Sequence, residues 1–231
     1  MFKFVYWLIY CATYPFYRYR FIGRENIPEG PCVMCANHTA NSDVVFLVMA
    51  NGPKWDFGVI GKEELFRFKP LGALFKWLGA FPVKRSTNDM HAVKACLSIL
   101  KSGKKLLIFP EGQRVKPGMK SDPKPGAALF SVRCKVPLVP VYIPEGRKAF
   151  RKNTVIVGKP YEPQVEGKPD QQRYQVITEE LMSRIMELKG KELKALLPWQ
   201  NTQATALVCV ARCRWPKTMR RRKIFCMPPA R

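Results

Sequence analysis

Acidic residues and histidine are scarce in this sequence. Against 40 Lys and Arg stand 17 Asp and Glu, a formal net charge of +23 over 231 residues. A field of that sign favours anionic partners: nucleic acid, anionic lipid, or phosphorylated substrates and carriers. Two histidines leave little with which to complete a zinc site of about four ligands, so no metal is expected. The eight cysteines do not change this. Cys32-x-x-Cys35 falls on a predicted strand whose side chains diverge, and the other thiols sit in apolar runs where they pack as small hydrophobes. No Gly-x-Gly-x-x-Gly follows a predicted strand, which sets aside a nucleotide dehydrogenase. No Gly-x-Ser-x-Gly elbow occurs, which removes the usual support for a serine nucleophile. A secretory cleavage signal is also lacking, and the thiols are expected to be reduced and cytosolic.

Long hydrophobic runs are missing as well. The most apolar stretch, residues 1–17, is dominated by aromatics and followed by Arg18 and Arg20. As a helix it extends about 25 Å at 1.5 Å per residue, short of the roughly 30 Å hydrocarbon core, and Lys3 and Pro15 shorten it further. Trp, Tyr and flanking Arg suit the membrane–water interface, so residues 1–20 are read as an interface anchor in one leaflet.

Hydrophobic residues nevertheless make up 47% of the chain, enough for one domain with a proper core. Apolar runs at 31–36, 57–60, 79–83, 105–109, 136–142 and 154–157 read as strands. Helical spacing is seen over 44–50, 71–78, 87–100 and 127–134, and in Tyr174, Ile177, Leu181, Ile185 and Leu188. Ser42 or Asp43 is a candidate N-cap for the first of these helices. Strands alternating with helices imply an α/β fold, a mixed, mostly parallel sheet flanked by helices on both faces. This domain is assigned to 21–193. Residues 194–231, with the run Arg220-Arg221-Arg222-Lys223, read as a basic, disordered tail.

The chemistry concentrates around Asn37-His38-Thr39-Ala40-Asn41-Ser42-Asp43. On one regular helix, at about 100° per residue, His38 and Asp43 would point roughly 140° apart. They meet only if the chain turns between them, with His38 at a strand end and Asp43 at a helix start. A His held by a carboxylate can take a proton and return it, because the carboxylate fixes the tautomer and stabilises the imidazolium. Taken alone, the pair reads first as a capping Asp beside a non-catalytic His, and only the downstream motifs turn it toward catalysis. In doubly covered sheets ligands gather beyond the strands' carboxyl ends, where His38, Arg85 and Glu111 are all predicted to lie.

Four blocks then stand in order: Asn37-His38-x4-Asp43, Gly79-Ala-Phe-Pro-Val-Lys-Arg85, Phe109-Pro-Glu-Gly112 and Val136-Pro137-Leu-Val-Pro140. Together they resemble the glycerolipid acyltransferase family, most nearly the bacterial 1-acyl-sn-glycerol-3-phosphate (lysophosphatidic acid) acyltransferases, over roughly residues 20–190. The resemblance implies that His38 is the general base and Asp43 its orienting partner. It implies contacts to the acceptor's glycerol phosphate from Lys84, Arg85, Glu111, Gly112 and Arg114, and an acyl-donor or structural role near Pro137. It also implies acyl-CoA or acyl-carrier protein as donor substrate, no cofactor, lysophosphatidate and membrane lipid as partners, no nucleic acid, and the cytoplasmic face of the cell membrane as location. Relatives often carry Thr-Arg-Ser after the Glu-Gly, where this chain has Gln113-Arg114-Val115, and Lys84 stands at a place often acidic in relatives.

Residue chemistry agrees in outline. Arg supplies a planar, permanently charged fork for a phosphate, and a hydroxyl needs its proton removed during attack. Glu111 repels a phosphate, so it is expected to bind an acceptor hydroxyl or to position Arg85 or Arg114. Transfer to another lysolipid, hydrolysis with water as acceptor, and a non-enzymatic anionic-membrane-binding protein remain as alternatives.

Overall fold

The structure is a computed structural model that describes residues 2–54, 56–83, 90–116, 119, 122–147, 149–165, 167 and 169–190. Lys84 and Arg85, the start of the helix expected over 87–100, and the tail 194–231 lie outside these residues.

Among the described residues, seven strands form one sheet: β1 (Tyr19–Ile22), β2 (Val33–Ala36), β3 (Phe57–Lys62), β4 (Ala80–Val83), β5 (Lys105–Ile108), β6 (Leu138–Tyr142) and β7 (Asn153–Val157). Their spatial order is β1-β7-β6-β2-β5-β3-β4. Every pairing is parallel except β6 with β7. The sheet is therefore mixed and mostly parallel, and β1 and β7 run against the other strands. Consequently the amino ends of β1 and β7 lie at the same sheet edge as the carboxyl ends of β2, β5 and β6.

The central strands β2 and β6 are short, wholly apolar runs because both faces are covered. Met34 and Ala36 pack on one side with Tyr6 of α1 (Phe2–Tyr17) and Phe46, Leu47 and Met49 of α2 (Asp43–Asn51). Val33 and Cys35 pack on the other, against Cys96 and Leu100 of α4 (Met90–Lys101), Ala127 and Phe130 of α5 (Gly126–Cys134), and Ile177, Leu181 and Ile185. The last three belong to a helix over residues 171–190, here α6. A further helix, α3 (Lys69–Trp77), precedes β4. Cys32 belongs to the first layer and Cys35 to the second, so their thiols diverge as expected of an extended chain.

The N-terminal helix α1 is docked on this domain. Tyr6 is buried, its hydroxyl donates to the Met49 carbonyl at 3.2 Å, and Arg24 Nη2 reaches both Tyr6 Oη and the same carbonyl. Phe4, Trp7 and Leu8 on its other side stay more than half exposed. No helix among the described residues is long and apolar enough to cross a membrane.

Candidate active site

β2 and β5 are neighbours in the sheet, and the first and third motif blocks leave their carboxyl ends. That adjacency brings Asn37-His38 and Phe109-Pro110-Glu111 together across 73 residues of sequence. The His38 backbone N–H donates to Glu111 Oε2 at 2.8 Å, and the His38 carbonyl accepts from Val115 N–H at 2.8 Å. The Phe109 ring stacks on the imidazole, with centroids 4.2 Å apart and an interplanar angle of 19°. The loop after β5 therefore grips His38 by main chain and ring alike.

Between β2 and α2 the chain turns back on itself, and Asp43 closes the turn. Its Oδ2 lies 2.9 Å from His38 Nδ1 and accepts the N–H groups of Thr39 at 2.6 Å and Ala40 at 2.8 Å. Ser42 occupies the N-cap position without a side-chain capping bond. Of the two positions the sequence offered as N-cap, Ser42 is therefore the one used. The Asp43 carboxylate points upstream into the turn, because the unpaired N–H groups it meets there belong to residues 39 and 40. Against the carboxylate, Nδ1 is the donor, which leaves the Nε2 lone pair of the neutral imidazole for a substrate proton.

The other Asp43 oxygen faces a cation that sequence reasoning missed. Arg147 Nη2 sits 2.5 Å from Oδ1, with the Arg147 side chain 6% exposed. Oδ1 takes no aligned hydrogen bond, so the contact is an ion pair. Arg147 also stacks over the Phe46 ring at 4.9 Å and donates from Nη1 to the Pro144 carbonyl at 3.1 Å. Burial pulls the Asp43 carboxyl up, but the His38 bond, the Ala40 N–H, the Arg147 charge and the Thr39 N–H outweigh it. Its net position is below the ordinary carboxylate value, and it stays ionised beside His38.

Glu111 behaves in the opposite way. Burial pushes it up, the His38 N–H pulls it down, and the charges of Asp43 and Glu145 push it up again, to about 7. Its first partner is thus the backbone of His38, where the sequence suggested an acceptor hydroxyl or an arginine. Glu145 in turn receives Lys189 Nζ at 2.9 Å.

The remaining candidates fall as follows. Gly112 adopts φ +65°, and the stem of Lys124 lies 3.2 Å from where a Cβ would sit. Its N–H closes a turn onto the Phe109 carbonyl. Arg114 is exposed beside Val115, hence next to the His38 carbonyl. Lys84 and Arg85 follow β4, which is separated from β5 by β3, and lie outside the described residues. Pro137 is at the amino end of β6, the opposite sheet edge from His38, and its carbonyl accepts Val33 N–H. That position serves strand pairing. Pro140, in the same block, accepts Gly158 N–H at 2.8 Å where the β6–β7 ladder stops.

A family profile described as Acyltransferase matches residues 18–144. The chloroplastic 1-acyl-sn-glycerol-3-phosphate acyltransferase BAT2 of Brassica napus is 32% identical over 134 residues, 56% of this chain and 38% of that protein. The 1-acyl-sn-glycerol-3-phosphate acyltransferase of Bacillus subtilis is 31% identical over 175 residues, 73% of this chain and 86% of that protein. The chain thus spans well under half of the plant relative but most of the bacterial one. Its fold matches the crystal structure of the 1-acyl-sn-glycerophosphate acyltransferase PlsC from Thermotoga maritima, with TM-score 0.63, 26% identity, and 81% and 79% of the two chains covered.

Proposed function

The chain belongs to the Acyltransferase family, and on that premise we propose that it transfers a fatty acyl group from an acyl thioester to the free hydroxyl of 1-acyl-sn-glycerol-3-phosphate, forming phosphatidate. The observation that carries this reading is the His38 Nδ1–Asp43 Oδ2 contact at 2.9 Å, in a carboxylate already braced by two N–H groups and Arg147. Nε2 of His38 removes the acceptor hydroxyl's proton as its oxygen attacks the thioester carbonyl carbon. The C–O bond forms, the C–S bond breaks, and the imidazolium returns the proton to the departing thiolate. A thioester is reactive enough for direct transfer in a ternary complex, without a covalent enzyme intermediate.

In this reading Asp43 fixes the His38 tautomer, and Arg147 and Glu111 are positioning residues, the first holding Asp43 and the second the His38 backbone. Arg114, exposed next to the His38 carbonyl, is assigned to the acceptor phosphate together with Lys84 and Arg85. Gly112 lets the main chain approach the acceptor closely. The donor is acyl-CoA or acyl-carrier protein, and no cofactor takes part. The exposed aromatic side of α1, carrying Phe4, Trp7 and Leu8, seats the enzyme on the cytoplasmic face of the cell membrane, where the lysolipid resides.

The test is purified protein in detergent with lysophosphatidate and labelled acyl-CoA or acyl-carrier protein, the products resolved by lipid chromatography. Labelled phosphatidate is expected from the wild type. Release of free fatty acid without phosphatidate, or a trapped acyl group on Cys32, Cys35 or a serine, would overturn the assignment.

A further inference from the structure

We propose that Phe16 and Phe150 form a second, rigid membrane contact at the active-site edge of the sheet, made for an anionic phospholipid surface. The inference rests on the membrane-facing reading of α1, and extends it to a surface that fixes how the active site meets the lipid.

Two turns converge at this place, one from α1 into β1 and one from the Arg147 loop into β7. Because β1 and β7 run against β6, both turns lie at the edge where β2 ends and His38 begins. Phe150 is three positions after Arg147, at most about 11 Å of extended chain. The aromatic pair therefore sits close to the cation that braces Asp43.

The pair is exposed yet firmly held. Phe16 is 50% and Phe150 61% exposed, with ring centroids 5.6 Å apart. The Phe150 N–H donates to the Phe16 carbonyl at 2.6 Å. Asn153 ties both turns together, through its side-chain amide to the Tyr17 carbonyl at 2.6 Å and the Arg151 carbonyl at 2.8 Å, and through its N–H to the Arg18 carbonyl. Phe150 and Arg18 both have left-handed backbones, φ +62° and +40°. A bulky aromatic in that region is a strained choice, and the strain serves no burial, since the ring projects from the surface. Strained conformations held by their surroundings concentrate at functional positions.

Charge identifies the occupant. Arg18 and Arg20 follow Phe16, and Arg151 and Lys152 follow Phe150, each within four residues, and all four are exposed. Exposed aromatic rings flanked along the chain by cations match an anionic lipid surface, where rings sit at headgroup level and cations meet phosphates. A protein partner would more commonly meet an apolar patch with both signs of charge at its rim.

The test uses the full chain, with vesicles of phosphatidylcholine alone or mixed with phosphatidylglycerol, and no acyl donor. Phe150→Gly removes the ring while relieving the left-handed backbone, so folding survives; Arg151→Glu reverses one charge. Phe150→Gly is expected to reduce partition onto mixed vesicles about tenfold. Arg151→Glu is expected to weaken binding to mixed vesicles but not to phosphatidylcholine alone, and the difference should vanish at high salt. Both variants should transfer acyl groups at wild-type kcat on detergent-dispersed substrate. Wild-type vesicle binding by Phe150→Gly would overturn the inference, as would a fall in detergent kcat or a change in self-association with vesicle binding unaltered. Vesicle binding needs no turnover, so absence of transferase activity would sink the proposed function and leave this result readable.

Discussion

Asn37 and Ile143 hold each other by two hydrogen bonds: Asn37 Nδ2 donates to the Ile143 carbonyl at 2.9 Å, and the Ile143 N–H donates to Asn37 Oδ1 at 2.8 Å. The side chain thereby continues the β2–β6 pairing one step past the last paired residues, Ala36 and Val141. It ties the segment leading to Arg147 beside the residue that precedes His38. Asn37→Ala leaves a buried N–H and carbonyl without these partners. A loss of about 2–3 kcal/mol is expected by chemical denaturation, with a kcat loss larger than the KM change because Arg147 is carried by the same segment.

His38→Ala removes the base and leaves the turn's N–H bonds to Asp43 in place. Phosphatidate formation is expected to fall on the order of 10³-fold, with unchanged far-ultraviolet circular dichroism. Near-normal turnover by this folded variant would refute the assignment of the base.

Arg147 is the cleanest probe of the second carboxylate oxygen. Arg147→Met strands part of a buried charge, at a cost of about 3 kcal/mol, and loosens Asp43. The kcat is expected to drop on the order of tenfold or more at similar KM, and Arg147→Lys should recover part of it. Equal loss in Lys and Met variants, or a change confined to KM, would argue against a positioning role.

Glu111 makes stability depend on pH. Its carboxyl is raised from 4.5 to about 7 in the folded chain, so between these values the native state binds more protons than the unfolded one. Stability from this group is fully present below about pH 4.5 and is lost as pH rises through 7, about 3 kcal/mol in all. Glu111→Gln keeps an acceptor for the His38 N–H and cannot ionise. Denaturation of wild type and variant across pH 5–8 should show the variant's stability falling less steeply, and parallel curves would contradict the assignment.

The buried thiols give a check on covalent chemistry. Burial pushes Cys32 up to about 12 and Cys35 well above its ordinary value, so neither is a nucleophile at neutral pH. Maleimide labelling of the native chain followed by peptide mass spectrometry should modify exposed Cys11 and spare Cys32 and Cys35 until denaturant is added.

Much of the fold was legible locally. Runs such as Val33–Ala36 and Leu138–Tyr142 are wholly apolar because both faces are covered, and that pattern read directly as buried strands. The pairing of His38 with Asp43 was legible too, since five residues with a turn between them allow few other arrangements. Arg147 was not. It lies 104 residues beyond Asp43, in a stretch without periodicity or motif, and its neighbour is decided by β6 lying beside β2. Glu111 was found as a residue of interest, but its bond to the His38 N–H was not, because a backbone N–H leaves no mark on the side-chain pattern.

By itself, then, the sequence determined what short-range forces decide: which segments are strands and helices, which faces are apolar, and that an imidazole and a carboxylate meet at one bend. Tertiary structure alone decided which strands are neighbours, and with that the Arg147 brace on Asp43, the Glu111 clasp on His38, and the placing of Phe16 beside Phe150. These contacts join residues 73 to 134 positions apart. At such separations the interaction depends on the packing of whole strands, which local composition does not encode.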